Sequence, residues 1–351
     1  MRRESWYHHL IQESQSADRE HRLDAWRDLC KEEYLDRISA QYLLDRLNWT
    51  ADWQEQSVIL GLMCRIKDPL PIDSLMAILE DWETSDVFLR MDVSRTLARV
   101  KAEEALDLFL RVLMDPYEHP WLREAMTSIL PMWGQHVVDQ FLPTLLADQQ
   151  SSVVTAALEV LRNYWPPDAI PLETVLSFCT HEKGHVREAA VKTLLAASLR
   201  VPPDAILSAL HDPEPEVRAT ASHACMSLVE WFEDLPLEPL LEALHDEYPS
   251  VREDIIDAFG VIPLRIPVEP VIAALSDPVH YVRCAAIETL GVMGERVPSS
   301  VYPVLQEMAG TDTSGHVRQR ATRTLLMLHG IEVAPLGLPV IEIATLEDLE
   351  E

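Results

Sequence analysis

Apolar residues recur in this chain with helical spacing, and the pattern repeats as a unit. In its clearest form a small or apolar residue follows a valine after four positions, and a large apolar residue follows after eight. From Val282, these positions are held by Ala286 and Leu290. Residues with this spacing lie along one side of an α-helix, so each unit predicts a helix with one apolar face.

Ten such anchors divide the chain at intervals of 31 to 35 residues, as from Val186 to Val217 and from Val282 to Val317. The first three match the pattern only weakly. The anchors are His21, Gln54, Leu89, Leu122, Val153, Val186, Val217, Val251, Val282 and Val317. Each of the last four is preceded by an apolar segment that begins with proline, which suits the first turn of a helix. A repeat of this length without a strand signal predicts an all-α fold, an α-solenoid of about ten stacked helical hairpins.

Five anchors follow an aspartate by five residues, and five of the valine anchors are followed directly by an arginine. The aspartates are Asp148, Asp212, Asp246, Asp277 and Asp312. The arginines are Arg187, Arg218, Arg252, Arg283 and Arg318. Such an aspartate can accept backbone N–H groups at the start of the second helix, and we expect the arginines to face these carboxylates in the same or the neighbouring repeat. We interpret this Arg–Asp ladder as structural, because an exposed ion pair adds only about 0–1 kcal/mol.

The pattern Asp-Pro-x-x-x-Val-Arg-x-x-Ala-x-x-x-Leu, complete from Asp277 to Leu290, resembles the HEAT repeat. It is similar in particular to the short form found in phycobilisome-lyase-type HEAT proteins. The resemblance covers residues 115–329 and is faint before them. It implies a HEAT-like superhelix with first helices on the convex side and second helices on the concave side. It indicates function only weakly, because such arrays are mostly scaffolds.

The pattern predicts one continuous solenoid with two regions and a tail. Residues 1–99 carry degenerate N-terminal repeats and a cap, and residues 100–329 carry the regular repeats. Residues 330–351 form an acidic C-terminal tail. Three interpretations of this tail remain open: a solvated end, a segment that caps the last hairpin, or a docking peptide for another protein.

The chain is strongly acidic, with 29 Lys and Arg against 58 Asp and Glu residues and a net charge of −29. This charge repels phosphate backbones and no basic stripe offsets it, so we expect no direct nucleic-acid binding and favour a partner protein with a basic surface. None of the five cysteines forms a Cys-x-x-Cys pair, which indicates free thiols in a reducing compartment. Neither a leader nor an apolar run of membrane-spanning length is apparent. We therefore expect a cytoplasmic protein without membrane attachment.

We expect no catalytic, cofactor-binding or metal-binding site. The sequence has neither a Gly-rich phosphate loop nor a Gly-x-Ser-x-Gly nucleophile turn. Cys179 has neighbouring histidines, but the sequence indicates no third residue for a catalytic group there. Three dipeptides with metal-ligating side chains are interpreted as turn residues: His181-Glu182, His211-Asp212 and His245-Asp246.

The exposed side of the second helices offers one candidate binding surface. Its acidic residues are Glu253, Asp254, Asp257 and Glu288. They form either a solvated face or a docking site for a basic partner. Three tryptophans at turns or helix ends either anchor an interface or pack between repeats: Trp121, Trp165 and Trp231.

The main functional hypothesis is a non-catalytic protein–protein interaction scaffold or adaptor that binds a partner through an acidic solenoid surface. Two alternatives stay open. One is a phycobilin-lyase-like chromophore-handling protein, which the resemblance implies. The other is an acidic mimic that occupies a nucleic-acid-binding protein.

Overall fold

The computed structural model describes residues 2–197 and 200–329, so the predicted tail at 330–351 lies outside the described residues. The described residues form α-helices and short 3-10 segments without a β-strand, which confirms the all-α prediction. The chain divides into two compact units, Met1–Val175 and Leu176–Glu351, which we call unit 1 and unit 2.

Unit 1 contains five hairpins, and we use the term second helix for the helix that carries the anchor. A short additional helix, α3, follows the first hairpin. The helices are α1 (Arg2–Glu13), α2 (Arg19–Leu29), α3 (Glu32–Leu35), α4 (Ala40–Trp49), α5 (Trp53–Met63), α6 (Ile72–Glu80), α7 (Val87–Val100), α8 (Leu106–Met114), α9 (Pro120–Ile129), α10 (Gln135–Leu146) and α11 (Ser151–Tyr164).

Five more helix pairs follow, and the boundary between the units lies within the first helix of this set, α12. The helices are α12 (Leu172–Phe178), α13 (Gly184–Ala196), α14 (Pro203–Ala209), α15 (Pro215–Trp231), α16 (Glu238–Ala243), α17 (Pro249–Val261), α18 (Val268–Ala273), α19 (His280–Met293), α20 (Tyr302–Thr311) and α21 (Gly315–Leu328). Ten pairs within the described residues agree with the number that the anchors predicted.

Within each unit the second helices pack side by side, as α5, α7 and α9 do in unit 1 and α15, α17 and α19 do in unit 2. The anchor stripe faces the core, and in α15 it buries Val217, Ala221, Cys225 and Leu228. The first helices α14, α18 and α20 pack against the second helices that follow them. The core of each unit therefore lies between its first and second helices.

The three weak anchors, His21, Gln54 and Leu89, all lie in the first turn of a second helix. In α5, however, the fully buried positions include Glu55 and Ile59, one residue on from Gln54 and its +4 partner. Sequence pattern alone missed this shift, because a glutamate is not expected at a buried position.

In unit 2 the second helices approach closely where one of them has a glycine. Thr289 of α19 donates from Oγ1 to the carbonyl of Ile256 in α17 at 3.0 Å. A Cβ at Gly260 would lie 3.1 Å from that hydroxyl, so a larger residue would push the helices apart. Gly291 and Thr324 have the same relation between α19 and α21.

Candidate functional site

In unit 2 the ladder arginines reach the aspartate of the next repeat. Arg218 donates from Nε and Nη2 to Asp246, at 2.6 and 3.1 Å, and from Nη1 to the carbonyl of Asp212 in its own turn at 3.0 Å. The same two-sided geometry joins Arg187 to Asp212, Arg252 to Asp277 and Arg283 to Asp312. Arg318, in the last hairpin, donates to the carbonyl oxygens of Asp312 and Thr313 in its own turn. We call each arginine with the acid that it binds in the next repeat a rung. Each of these four rungs links one turn to the turn of the next repeat.

The ladder aspartates shape the turns and do not cap the helices. Each accepts the backbone N–H of the residue two positions on, which precedes the first helical residue: Asp212 accepts from Glu214 at 2.9 Å. The N–H groups that these aspartates accept thus belong to the residue just before the second helix. His181 takes the aspartate's place before α13, and its Nδ1 accepts from the N–H of Lys183 at 3.1 Å. The His181-Glu182 pair is thus part of a turn.

Unit 1 contains rungs that the sequence reasoning missed, although each arginine directly follows a leucine anchor. Arg123 of α9 donates both terminal nitrogens to Asp148 and its Nε to the carbonyl of Leu113 at 2.8 Å. Arg90 of α7 binds Glu118 in the same way, at 2.9 and 2.6 Å. The acid of this second rung is a glutamate four residues before its anchor, so the aspartate pattern could not identify it.

The first rung of unit 1 ends on a buried glutamate. Arg22 donates from Nε to Glu55 at 3.1 Å and from Nη1 to the carbonyl of Ser16 at 3.0 Å. Glu55 is 1% exposed and also accepts from Trp26 Nε1 at 2.9 Å and Thr50 Oγ1 at 2.8 Å. Unlike the acids of the regular rungs, Glu55 lies within the first turn of its second helix and not in the turn before it.

Several of the rung carboxylates are held in the ionised form. Burial raises the pKa of Asp212, but the hydrogen bonds from Arg187 and from the Glu214 amide outweigh burial, so the pKa lies below its ordinary value. The same balance lowers the pKa of three further rung acids: Glu118, Asp148 and Asp277. These pairs are therefore formed at neutral pH and act in the stacking of repeats.

The four acidic residues singled out from the sequence lie on adjacent helices of unit 2, and we call them the acidic face. Glu253, Asp254 and Asp257 belong to α17, and Glu288 belongs to its neighbour α19. Asp254 accepts a hydrogen bond from Ser222 Oγ of α15 at 2.8 Å. The face therefore lies on α17 and α19 and is hydrogen-bonded to α15.

Folding disfavours the ionised form of the three α17 carboxyl groups. Burial is the largest cause that raises the pKa of Asp257, and the charges of Glu288 and Asp254 raise it further. The pKa of Glu253 is raised by burial and then by Asp257 and Asp254. Arg320 of α21 partly offsets both shifts and pairs with Glu288 at 3.1 Å. Like charges gathered in this way are more common at functional sites than elsewhere.

Carboxylates outnumber cationic groups on the acidic face. Within residues 2–197 and 200–329, no group of three His, Cys, Asp or Glu side chains is placed to hold a metal ion. What the face presents is four carboxylates against the single guanidinium of Arg320, which contacts its edge.

The structure places the three predicted tryptophans on different parts of the molecule. Trp121 is exposed in the first turn of α9, and Trp165 directly follows α11, so both belong to unit 1. Trp231 is the last residue of α15 in unit 2, more than two helical turns beyond Ser222. None of the three shares a described contact with the acidic face.

The two His-Asp dipeptides line one shallow pocket of about 400 Å³ between successive turns. Asp212 and Asp246 serve the rungs described above. His211 places Nε2 at 2.9 Å from a carboxylate oxygen of Glu242. The side chains of this pocket therefore already bind one another.

The cysteines are in their protonated form at neutral pH where burial is greatest. Burial raises the pKa of Cys179 to about 11. Burial, followed by the charge of Asp254, raises the pKa of Cys225 to about 12. A thiol attacks as its thiolate, so neither residue is prepared for nucleophilic catalysis.

A second surface, in unit 1, was missed in the sequence. Trp53, Phe88 and Trp121 stand directly before the anchors of three successive repeats and are 65, 51 and 56% exposed. Together they line two adjoining pockets on α5, α7 and α9, which we call the aromatic groove. The repeated position before the anchor is the signal that could have identified it.

Comparisons with known proteins address the fold. Residues 204–232 match the model of the HEAT repeat, and residues 237–326 match a model of HEAT repeats. A comparison with curated proteins gives no significant match. No described helix is long and apolar enough to cross a membrane.

Several solved structures have a similar fold. YibA of Escherichia coli is 20% identical with a TM-score of 0.55, over 76% of this chain and 95% of that one. Kap95, in its complex with Nup1, is 13% identical with a TM-score of 0.55, over 92% of this chain and 49% of that one. Kap121p is 13% identical with a TM-score of 0.53, over 92% and 41%. At these identities the likeness concerns the fold alone.

The matched segments run from α14 to α21, the part of the chain with the most regular repeats. Both models describe HEAT repeats in general, and neither specifies the short phycobilisome-lyase form. A stack of HEAT repeats fits a protein-interaction scaffold. From its repeat pattern, its helical hairpins and these matches, the chain contains HEAT repeats over residues 204–232 and 237–326.

Proposed function

We propose that this protein is a non-catalytic adaptor that binds a partner with a basic surface through the acidic face on α17 and α19. The observation that carries the proposal is the group of carboxyl groups with raised pKa values. Burial and mutual repulsion disfavour their charged forms, yet the fold keeps them together. A lysine or arginine of a partner would relieve that repulsion, so binding recovers free energy that folding has spent.

Three further observations support the proposal. The net charge of −29 attracts basic proteins and repels nucleic acid. The similar fold of Kap95 was solved in complex with another protein, Nup1, which is a precedent for a protein ligand. The buried free thiols of Cys225 and Cys284 are compatible with a reducing compartment, so we propose a cytoplasmic location.

The test compares two variants that remove the same amount of charge. The face variant carries Glu253→Gln, Asp254→Asn, Asp257→Asn and Glu288→Gln. The control variant neutralises four exposed acids elsewhere: Glu103→Gln, Glu104→Gln, Glu233→Gln and Asp234→Asn. Each tagged protein is used to capture partners from its host at low and at moderate salt, followed by mass spectrometry and a titration with the purified partner.

We expect wild type and control to retain one stoichiometric partner at low salt and to lose affinity as salt rises. The face variant should bind at least tenfold more weakly at low salt and show a smaller salt dependence. Equal binding by face and control variants would show that the partner uses another surface. An affinity independent of salt would exclude recognition by charge.

A further inference from the structure

The aromatic groove of unit 1 gathers three exposed aromatic side chains on adjacent helices. Trp53, Phe88 and Trp121 occupy the first turns of α5, α7 and α9, which pack side by side. The rings of Phe88 and Trp121 contact each other, with centroids 6.0 Å apart. On the other side of Phe88, a pocket of about 800 Å³ extends to Trp53. The three rings therefore line one continuous surface.

The three aromatic side chains do not form the core of these helices. The buried faces of the same helices carry other residues, such as Ile59 in α5, Val93 in α7 and Met126 in α9. Contiguous apolar patches on a soluble surface usually mark a binding site. Tryptophan and other aromatic side chains are also those that contribute most to protein interfaces.

The other residues that line the groove indicate the chemistry of its ligand. Among the lining residues in the described part of the chain, the charged ones are Asp86 and Glu124, and both are acidic. The remaining lining includes amide and hydroxyl groups that can bind a peptide backbone, from Asn48, Gln56 and Ser85. A cationic group would therefore match the charge of this surface, and an extended peptide would match its shape.

We propose that the aromatic groove binds an extended segment of a partner protein that carries arginine or lysine between apolar side chains. The cationic side chain stacks on Trp121, next to Glu124, as cations do on indole rings. The apolar side chain enters the pocket between Trp53 and Phe88. Three adjacent helices span two interaxial distances, about 16–20 Å, which an extended segment covers with about six residues. This surface does not include the acidic face, so either proposal can fail without the other.

The test uses a random 12-residue peptide display library selected on the full-length protein. Peptides that also bind the variant Trp53→Ala, Phe88→Ala, Trp121→Ala are removed before each round. One recovered peptide is then synthesised, and its affinity is measured by fluorescence anisotropy. All three side chains are more than half exposed, so the variant should keep the wild-type thermal unfolding midpoint.

We expect recovered peptides that combine basic and apolar residues. Trp121→Ala and Glu124→Gln should each weaken binding at least fivefold, and the triple variant at least thirtyfold. Replacing each Arg or Lys of the peptide by Gln should weaken binding at least tenfold. Two controls should leave it unchanged: Trp82→Ala, whose side chain is 72% exposed but does not line the groove, and Asp257→Asn in the acidic face.

Three results would overturn the proposal. A selection that yields no peptide dependent on the three aromatic residues would show that the groove is not a peptide site. Recovered peptides without basic residues would show that its acidic rim does not select the ligand. An equal loss with Trp82→Ala would show that any exposed tryptophan suffices.

Discussion

Units 1 and 2 are built from the same helical hairpin but begin their second helices differently. In unit 1, three second helices, α2, α5 and α7, each follow an aspartate as the N-cap residue. The side chains of these aspartates, Asp18, Asp52 and Asp86, accept N–H groups of the first turn that follows. In the described part of unit 2, the second helices lack such a side-chain cap. Before α15, α17, α19 and α21, an aspartate lies two residues earlier and binds the arginine of the preceding repeat. Capping is therefore local in α2, α5 and α7, whereas the turn aspartates before α11, α15, α17, α19 and α21 are shared with an arginine of the preceding repeat.

This difference explains why the repeat pattern is clear in unit 2 and weak at the start of unit 1. A rung such as Arg252 with Asp277 needs both residues at fixed positions in two repeats, which keeps the spacing regular. A local cap such as Asp86 constrains only its own helix. The neighbouring positions are then free to carry exposed aromatic residues, as Phe88 does.

Removing the acid of a rung should destabilise unit 1 more than unit 2, because the arginines differ in the hydrogen-bond acceptors that they keep. We expect Asp148→Ala in unit 1 to cost about 3–5 kcal/mol, because Arg123 is 1% exposed and its two terminal nitrogens lose their partner. Asp312→Ala in unit 2 should cost about 1–3 kcal/mol, since Arg283 keeps two carbonyl acceptors in its own turn. Urea denaturation measures both, and each variant also loses one equivalent turn hydrogen bond. Equal costs would show that the orientation of the guanidinium does not matter.

Replacing a helical glycine by alanine should change stability by a smaller amount and with opposite sign in the two units, because second helices approach closely at Gly260 in unit 2 and not at Gly61 in unit 1. Gly260→Ala should destabilise by about 1–3 kcal/mol, because the added Cβ lies 3.1 Å from Thr289 Oγ1. Gly61→Ala in α5 of unit 1 has no atom within 4 Å of the added Cβ and should stabilise by about 0.5–1 kcal/mol. Thermal unfolding of both variants checks this, and a loss of stability in both would point to a general intolerance of side chains at helical glycines.

The smallest expected effect concerns the acidic face. Because the pKa of Asp257 is raised in the folded state, the folded protein binds more protons there than the unfolded chain, and stability falls as pH rises through that pKa. Asp257→Asn should therefore stabilise the protein at pH 7, by about 0.5 kcal/mol after screening by solvent. The gain should vanish once the pH is below the ordinary pKa of aspartate.

The rung acids should show the opposite dependence of stability on pH. The pKa of Asp277 is lowered in the folded state, so its contribution is present above the ordinary pKa of aspartate and is lost as pH falls through the folded value. Denaturation of wild type and Asp257→Asn at pH 7, 5 and 3 tests both signs. A stabilisation by Asp257→Asn that is the same at all three pH values would contradict the raised pKa.

The sequence by itself determined the hairpins, their number and the inward stripe of residues such as Val217 and Ala221. These features follow from helical periodicity, which is set by residues three or four positions apart and is therefore visible in a short segment. The sequence also identified Glu253 and Asp257 as outward-facing acids, because they lie two and six residues after the anchor Val251.

Only the tertiary structure decided which groups meet across repeats. The partner of Arg218 lies 28 residues away, and the orientation of the guanidinium depends on how neighbouring turns stack. The one-residue shift that buries Glu55, the raised pKa of Asp257 and the joining of Phe88 and Trp121 also arise from the distance between packed helices. Stacking distances of this kind depend on side-chain volumes summed over two repeats, and no single repeat contains that information.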